Sequence, residues 1–328
     1  MTVPELVHIW HRCHACGMQP ILGQRFECET CPIGPDNSLC QTCYELLERG
    51  DVKHPLPGSL GSNGLTTRHI FRSFAGHPRN QYRPWLLIPQ RRDHPPVVPD
   101  HFVVRPEFRS KSESVVGGHA FVIKPEDNGR PLLLTALHVL DELIKNRRIN
   151  CTADNVAYTG RELPALITGV TLYDVFAAKW MFAELGSASS MLILPNARIN
   201  DEEPHSQRDI AAFRVDASST ISPVKLATTS PKTGDSIWLA ASPGRESTER
   251  AFEAVVVEHT DQTLIFRFST PPDVRYSSGA PLLNVRGEVV GINVGGGTLD
   301  NHHLGHGNHV MSIRRHLGWI DAPTTKAI

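Results

Sequence analysis

Long apolar runs are missing from this chain. No window approaches the roughly 18 consecutive apolar residues that a spanning helix needs, so a transmembrane helix is excluded. The segment from Met1 to Trp10 has neither a cationic start nor an apolar stretch. That argues against a signal peptide and for a protein made and kept in the cytoplasm. Charge of one sign is lacking too: 33 Lys and Arg face 34 Asp and Glu, a formal net charge of -1. With no global basic field, long-range attraction gives a nucleic-acid partner nothing, and none is expected. Cysteine is almost absent from most of the sequence. Six of the seven lie between Cys13 and Cys43 and only Cys151 lies beyond, so no disulfide can form within the rest of the chain. Clustered cysteines without such pairing fit a reducing compartment and metal binding.

What remains is ordinary globular material, 40% hydrophobic and 20% charged, arranged in three zones. Residues 1–72 hold the cysteines among polar loop residues. Residues 73–104 carry Pro78, Pro84, Pro89, Pro95, Pro96 and Pro99, the density of an extended connector, with Trp85 to Ile88 able to dock it on a neighbour. Residues 105–322 show short runs rich in β-branched residues, separated by turn residues: Ala120–Ile123, Leu132–Leu134, Ile210–Val215, Ala254–Val257, Leu264–Phe266 and Val289–Val294. That pattern predicts an all-β barrel or sandwich. Helical patterning is confined to His138–Ile144 and Ser312–Trp319, and no repeat of fixed period occurs.

The cysteines come as three Cys-x2-Cys pairs, Cys13/Cys16, Cys28/Cys31 and Cys40/Cys43. One such pair aims two thiolates at one ion and supplies half of a tetrahedral zinc site. Three pairs leave a second site two ligands short, and His54 and His69 are available to complete it, in a loop that also leads to His77. A single zinc with spare thiols is the alternative. The stretch resembles the ZZ-type zinc finger in His8, Cys13-His-Ala-Cys16, Ile21 to Cys28, Leu39-Cys40-Gln-Thr-Cys43-Tyr44 and His69-Ile-Phe71. The resemblance implies a cross-brace of two structural zinc ions, one on Cys13, Cys16, Cys40 and Cys43, the other on Cys28, Cys31, His54 and His69. It also implies a peptide or protein partner. Where that family has an acidic-aromatic-acidic run, this chain has Asp36-Asn37-Ser38, so the basis for grasping a free amino terminus is reduced to Asp36.

Three segments of the third zone carry catalytic chemistry. Leu132 to Thr135 leads through Ala136-Leu137 to His138; Asp209 heads the apolar run Ile210–Val215; Ser278 lies in Tyr276-Ser-Ser-Gly-Ala-Pro-Leu-Leu283, before Gly287-Glu-Val-Val-Gly-Ile292. A serine hydroxyl needs a base within hydrogen-bond reach, and the base needs its tautomer fixed by a buried acceptor. Asp174 competes with Asp209 for that last role. The small residues Gly279 and Ala280 let the chain turn tightly, and the backbone N–H groups of Tyr276 and Ser278 are the candidate oxyanion hole. The order His, Asp, Ser is that of chymotrypsin-like folds. From about residue 110 to 318 the chain resembles trypsin-like peptidases, nearest to disulfide-free bacterial branches such as the high-temperature-requirement proteases. Gly117-Gly-His-Ala-Phe-Val-Ile123, Thr233-Gly-Asp-Ser-Ile-Trp238, Ser242-Pro-Gly244 and Gly291-Ile-Asn-Val-Gly-Gly296 carry the likeness. It implies a mainly β, two-barrel protease domain behind a small zinc module.

Departures sharpen that expectation. Tyr276 and Ser277 stand where the family has Gly and an acidic or amide residue, so activation by a trimmed N-terminus is not expected and a switchable oxyanion turn is. The pocket base falls at Pro272, beside Asp273, and Val294–Gly296 forms an open wall. Asn301 to His309 reads as a solvated loop near the pocket mouth, its four histidines offering metal, proton or acidic-substrate contacts. The sequence therefore describes an intracellular serine endopeptidase acting on a protein or peptide. Its zinc module recruits a substrate, regulator or scaffold, in a setting such as bacterial defence or stress signalling. The alternative is an interaction scaffold on an inactive protease fold.

Overall fold

Short runs of β-branched residues bounded by glycine, proline and polar turns become strands, and the strands close on themselves. The computed structural model describes residues 5–28, 38–51, 70–90, 93–97, 99–111, 113–125, 129–140, 143, 163–176, 183–198, 208–242, 249–272 and 276–320. Contacts divide the chain into one unit of residues 1–87, 144–156 and 296–303 and a second of 88–143, 157–295 and 304–328.

In the first unit, β1 (Leu6–His8) pairs with β2 (Ile21–Leu22), and β3 (Gln24–Cys28) with β4 (Ser38–Cys40), which runs into α1 (Gln41–Glu48). β5 (Phe71–Ala75) pairs with β3, and β6 (His77–Pro78) with β1. A 3-10 turn at Arg79–Tyr82 and the short α2 (Arg83–Leu87) follow. The stretch expected as a connector thus contains regular elements, and Trp85 is buried against Tyr82 and Trp10. A small core of Cys13, Ile21, Leu39, Cys40 and Cys43 is flanked by Phe26, Tyr44, Leu47 and Phe71, with Phe26 and Tyr44 stacked at 3.9 Å. So few apolar side chains give the unit a thin core, the usual situation of a domain held by metal. Residues 296–303 pack here at backbone distance: a Cβ on Gly297 would lie 1.9 Å from the Ile9 carbonyl oxygen.

In the second unit, β7 (Val103–Arg109), β9 (Ala120–Ile123), β10 (Leu132–Thr135), β13 (Ala211–Val215), β12 (Glu184–Met191) and β11 (Gly169–Asp174) follow one another in a sheet. Pairing of β11 with β7 closes that sheet into a barrel, and β8 (Ser114–Val116) is added at β7. A second closed barrel runs β14 (Ser236–Ala240), β15 (Ala251–His259), β16 (Thr263–Phe268), β19 (His302–His309), β18 (Val289–Leu299) and β17 (Pro281–Leu283). The segment at 224–226 stitches the two together, Val224 bridging to Ile123 and Leu226 to Val289. Strands β9, β10 and β14 are buried at every residue, which explains their unbroken apolar runs. The chain is mainly β, with two six-stranded barrels, as expected of a chymotrypsin-like fold.

One expectation is overturned. The histidine-rich stretch is a barrel strand, β19, with His306 and His309 buried. Its glycines are there for space. A Cβ on Gly305 would meet the Phe266 ring at 2.3 Å, and one on Gly307 would meet the Ile292 carbonyl oxygen at 2.4 Å. The expected helices are realised as a 3-10 turn at Leu137–Leu140 and as α3 (Val310–His316), which His309 caps by accepting from the Met311 amide.

Candidate active site

Antiparallel pairing of β10 with β13 matches Thr135 to Ala211, so the chain leaving β10 and the chain entering β13 arrive side by side. His138 lies just past the end of β10 and Asp209 just before the start of β13. Asp209 is buried and grips His138 at two points: Oδ1 accepts from the His138 backbone N–H at 2.9 Å, and Oδ2 lies 2.6 Å from Nδ1. A carboxylate opposite Nδ1 places the proton there and leaves Nε2 as the acceptor, the tautomer a general base requires. The His138 side chain is 27% exposed, and that of Asp209 only 2%. The competing Asp174 instead pairs with His101 at 3.2 Å and accepts from the Phe176 amide.

Ser278 sits in the turn before β17. The Gly279 amide donates to Asn293 O at 2.8 Å, the Ala280 amide to Ser277 O at 3.0 Å, and the Asn293 side-chain amide to Ser277 O at 3.1 Å. Gly279 has φ +85°, and a Cβ there would lie 2.1 Å from His119 O and 2.3 Å from Thr135 Oγ1. Only glycine lets the serine turn approach the Thr135-Ala136 lead-in to His138 so closely. Gly118 does the same on the other side, between Ser278 O and the Val139 side chain. The serine and histidine segments are therefore packed together through their immediate neighbours. The Ser278 hydroxyl itself donates to Val294 O at 3.0 Å. Among the described residues no hydrogen bond takes up the backbone N–H of Tyr276 or Ser278. Tyr276 has φ +55° and is exposed. Proximity in the sequence did not reveal two neighbours of this turn: His119, fully buried, and the Val294 carbonyl. The only trace of His119 was its place in the Gly117–Ile123 motif. Asp273, expected near the specificity pocket, lies outside the described residues.

In the first unit the Sγ atoms of Cys13, Cys16, Cys40 and Cys43 all lie within 4.8 Å of one another. Cys13 and Cys16 flank a turn closed by the Gly17 amide on Cys13 O, and the His14 amide donates to Ser38 O, beside β4. Cys40 is the N-cap of α1, without a side-chain cap of its own, and Cys43 lies in its first turn. Zn–S bonds of about 2.3 Å in a tetrahedron require sulfur atoms about 3.8 Å apart, and Cys16 Sγ lies 3.8 Å from Cys40 Sγ. The four sulfurs fit one tetrahedral ion. Burial works against a Cys13 thiolate, but hydrogen bonds from the Cys16 and Cys40 amides outweigh it and bring that thiol to about 7. Of the second expected set, Cys28 is buried at the end of β3; Cys31, His54 and His69 lie outside the described residues.

Residues 118–292, more than half of the chain, match the trypsin-like peptidase domain family. No curated protein matches the chain. Similar solved structures include the active form of the Rv3671c protease from M. tuberculosis, 18% identical, covering 72% of this chain and 96% of that one, with a TM-score of 0.42. The inactive form of that protease covers 68% and 90% at 18% identity and a TM-score of 0.38. Deg5 covers 66% and 87% at 14% identity and a TM-score of 0.37. Among the described residues no helix is long and apolar enough to cross a membrane.

Proposed function

Because the chain belongs to the trypsin-like peptidase domain family, we propose that it cleaves peptide bonds with Ser278 as nucleophile, His138 as general base and Asp209 as the group that orients the base. The chain is a serine endopeptidase, acting on protein or peptide substrates. The observation that carries the residue assignment is the two-point grip of buried Asp209 on His138, which leaves Nε2 as the acceptor.

In the resting site the Ser278 hydroxyl is turned toward Val294 O. For reaction it rotates about χ1 and gives its proton to His138 Nε2 while Oγ bonds to the scissile carbonyl carbon. The carbonyl oxygen becomes an oxyanion facing the N–H groups of Tyr276 and Ser278. His138 then protonates the departing amine, leaving an acyl-enzyme. Water, deprotonated by the same imidazole, releases the new carboxylate and restores Ser278. Each of the two oxyanion donors is worth about 3 kcal/mol in sites of this kind.

The N-terminal module, residues 1–72, is read as a structural zinc unit joined through 73–104 to the protease domain at 105–322. Its first ion would be held by Cys13, Cys16, Cys40 and Cys43 and its second by Cys28, Cys31, His54 and His69. Neither has an open position for chemistry, which suits recruitment of a substrate or a regulating protein in the cytoplasm, in defence or stress signalling. Labelling of the full chain with a fluorophosphonate probe tests the catalytic reading. Covalent labelling of the wild type and none of Ser278→Ala is the expected result. Labelling of neither, with the wild type folded, would leave the interaction scaffold as the reading.

A further inference from the structure

Tyr276 stands in a backbone conformation that favours glycine, with φ +55°, at the turn that supplies the oxyanion donors. A non-glycine residue there is strained and persists only where its surroundings hold it. The holder is His119. Its Nδ1 lies 2.8 Å from Tyr276 O, and its Nε2 accepts from the Ser242 backbone N–H at 2.9 Å. Because Nε2 must be an acceptor, Nδ1 carries the hydrogen and donates to the Tyr276 carbonyl. The histidine's own backbone completes the clamp. Its N–H donates to Ser278 O at 2.8 Å, and its carbonyl accepts from Thr135 Oγ1 at 2.6 Å. One fully buried residue thus grips the turn on both sides of Ser277 and also the strand end that leads to His138.

We propose that His119 is a positioning residue for catalysis: its Nδ1–H fixes the Tyr276–Ser277 peptide plane, so that the flanking amides of Tyr276 and Ser278 point into the oxyanion position. The inference rests on the assignment of Ser278 as nucleophile. It explains how a tyrosine occupies a place that suits glycine without loss of the site. The family's usual acidic or amide residue beside the serine is replaced here by Ser277, which Asn293 holds. His119 and Asn293 together anchor the turn with neutral groups.

The test uses the full chain and fluorescein-labelled casein as substrate. His119→Leu keeps the bulk but removes both hydrogen-bonding nitrogens. It is expected to lower kcat by roughly 10- to 100-fold with KM within twofold, and to slow fluorophosphonate labelling by the same factor. His119→Asn keeps a donor toward Tyr276 and recovers most of the loss. Adding Tyr276→Gly to His119→Leu also recovers activity, since glycine adopts the positive φ unaided. A role confined to packing would lower the melting temperature of the Leu variant and leave kcat of the folded fraction, and its ratio to the Asn variant, unchanged. That outcome, with Ser278→Ala inactive, overturns the inference alone. If Ser278→Ala still cleaves casein, the nucleophile assignment itself fails. Should His119→Leu not fold, His119→Ala and His119→Asn carry the comparison: labelling slowed roughly tenfold or more in His119→Ala and largely restored in His119→Asn supports the clamp, and equal labelling rates of the two folded variants refute it.

Discussion

Replacing Asp209 with asparagine tests the base's tautomer without changing its shape. In the wild type Oδ1 accepts from the His138 backbone N–H at 2.9 Å and Oδ2 faces Nδ1 at 2.6 Å. Asparagine has one acceptor and one donor for those two places. If its oxygen keeps the backbone N–H, its NH2 group faces Nδ1, which must then be an unprotonated acceptor. The proton moves to Nε2, and the imidazole can no longer take one from Ser278. In the reverse orientation two donors meet at the backbone N–H, which costs about 1 to 3 kcal/mol for the buried unpaired group. The first arrangement therefore prevails, and the folded protein carries the wrong tautomer. Loss of kcat by roughly a thousand- to ten-thousandfold is expected, equivalent to about 4 to 5.5 kcal/mol of transition-state stabilisation, with KM little changed. Casein turnover and the rate of fluorophosphonate labelling measure it, with circular dichroism confirming the fold. Asp174→Asn, at the carboxylate paired with His101, should leave kcat unchanged. An Asp209→Asn variant with more than about a tenth of wild-type kcat, or a larger loss in Asp174→Asn, would refute the tautomer reasoning.

Gly279→Ala combines a left-handed φ of +85° with a Cβ placed 2.1 Å from His119 O. It should cost about 2 to 5 kcal/mol in urea denaturation and abolish labelling of Ser278, and a variant as stable as wild type would contradict the packing. Elemental analysis of purified protein should find about two zinc ions per chain, and Cys40→Ser should remove one of them. Finding about one in the wild type would remove the Cys28, Cys31, His54 and His69 site. Burial lowers His119 from 6.5 to about 4, with Arg105 acting in the same direction and the Tyr276 carbonyl opposing. His309, also buried and accepting from the Met311 amide, is lowered to about 4 as well. Both are held neutral, so the unfolded chain binds protons first. Their contribution is complete above about pH 6.5 and is lost as pH falls toward 4, by up to about 3 kcal/mol for His119. Denaturation midpoints that stay level or rise between pH 7 and 4.5 would count against it.

How much of this was legible depended on whether the signal was local. His138, Asp209 and Ser278 each sit beside a strand whose apolar run is visible in sequence, and β10–β13 pairing needs only those runs to bring His138 and Asp209 together. The pairs Cys13/Cys16 and Cys40/Cys43 were equally plain, because a turn aims the one and a helix start the other independently of the rest of the fold. The strand β19 was hidden by its own composition. Glycine, histidine and asparagine read as a loop, but Gly305 and Gly307 are small because Phe266 and the Ile292 backbone occupy the space where their side chains would go. Burial on both sides, which makes a strand of such a sequence, is a property of the partner strands. His119 was illegible for a related reason: its partners Tyr276 and Ser242 lie more than 120 residues away.

The same distance explains what holds the oxyanion turn. In a site ordered by an ion pair, the turn depends on the charge that reaches it. Here Ser277 is held by the Asn293 side chain and Tyr276 by His119, and His119 is neutral across the whole range above its lowered pKa. No terminal ammonium enters these contacts, so trimming of the chain is expected to leave kcat unchanged. What separates the resting site from the reacting one is then a smaller step. On the proposed assignment, the Ser278 hydroxyl exchanges Val294 O for His138 Nε2. One hydrogen bond of about 1 kcal/mol opposes that rotation, so binding energy from a seated peptide is enough to drive it. Control of this protease should therefore appear in substrate access and in KM, with the rate of labelling by a small fluorophosphonate left nearly constant.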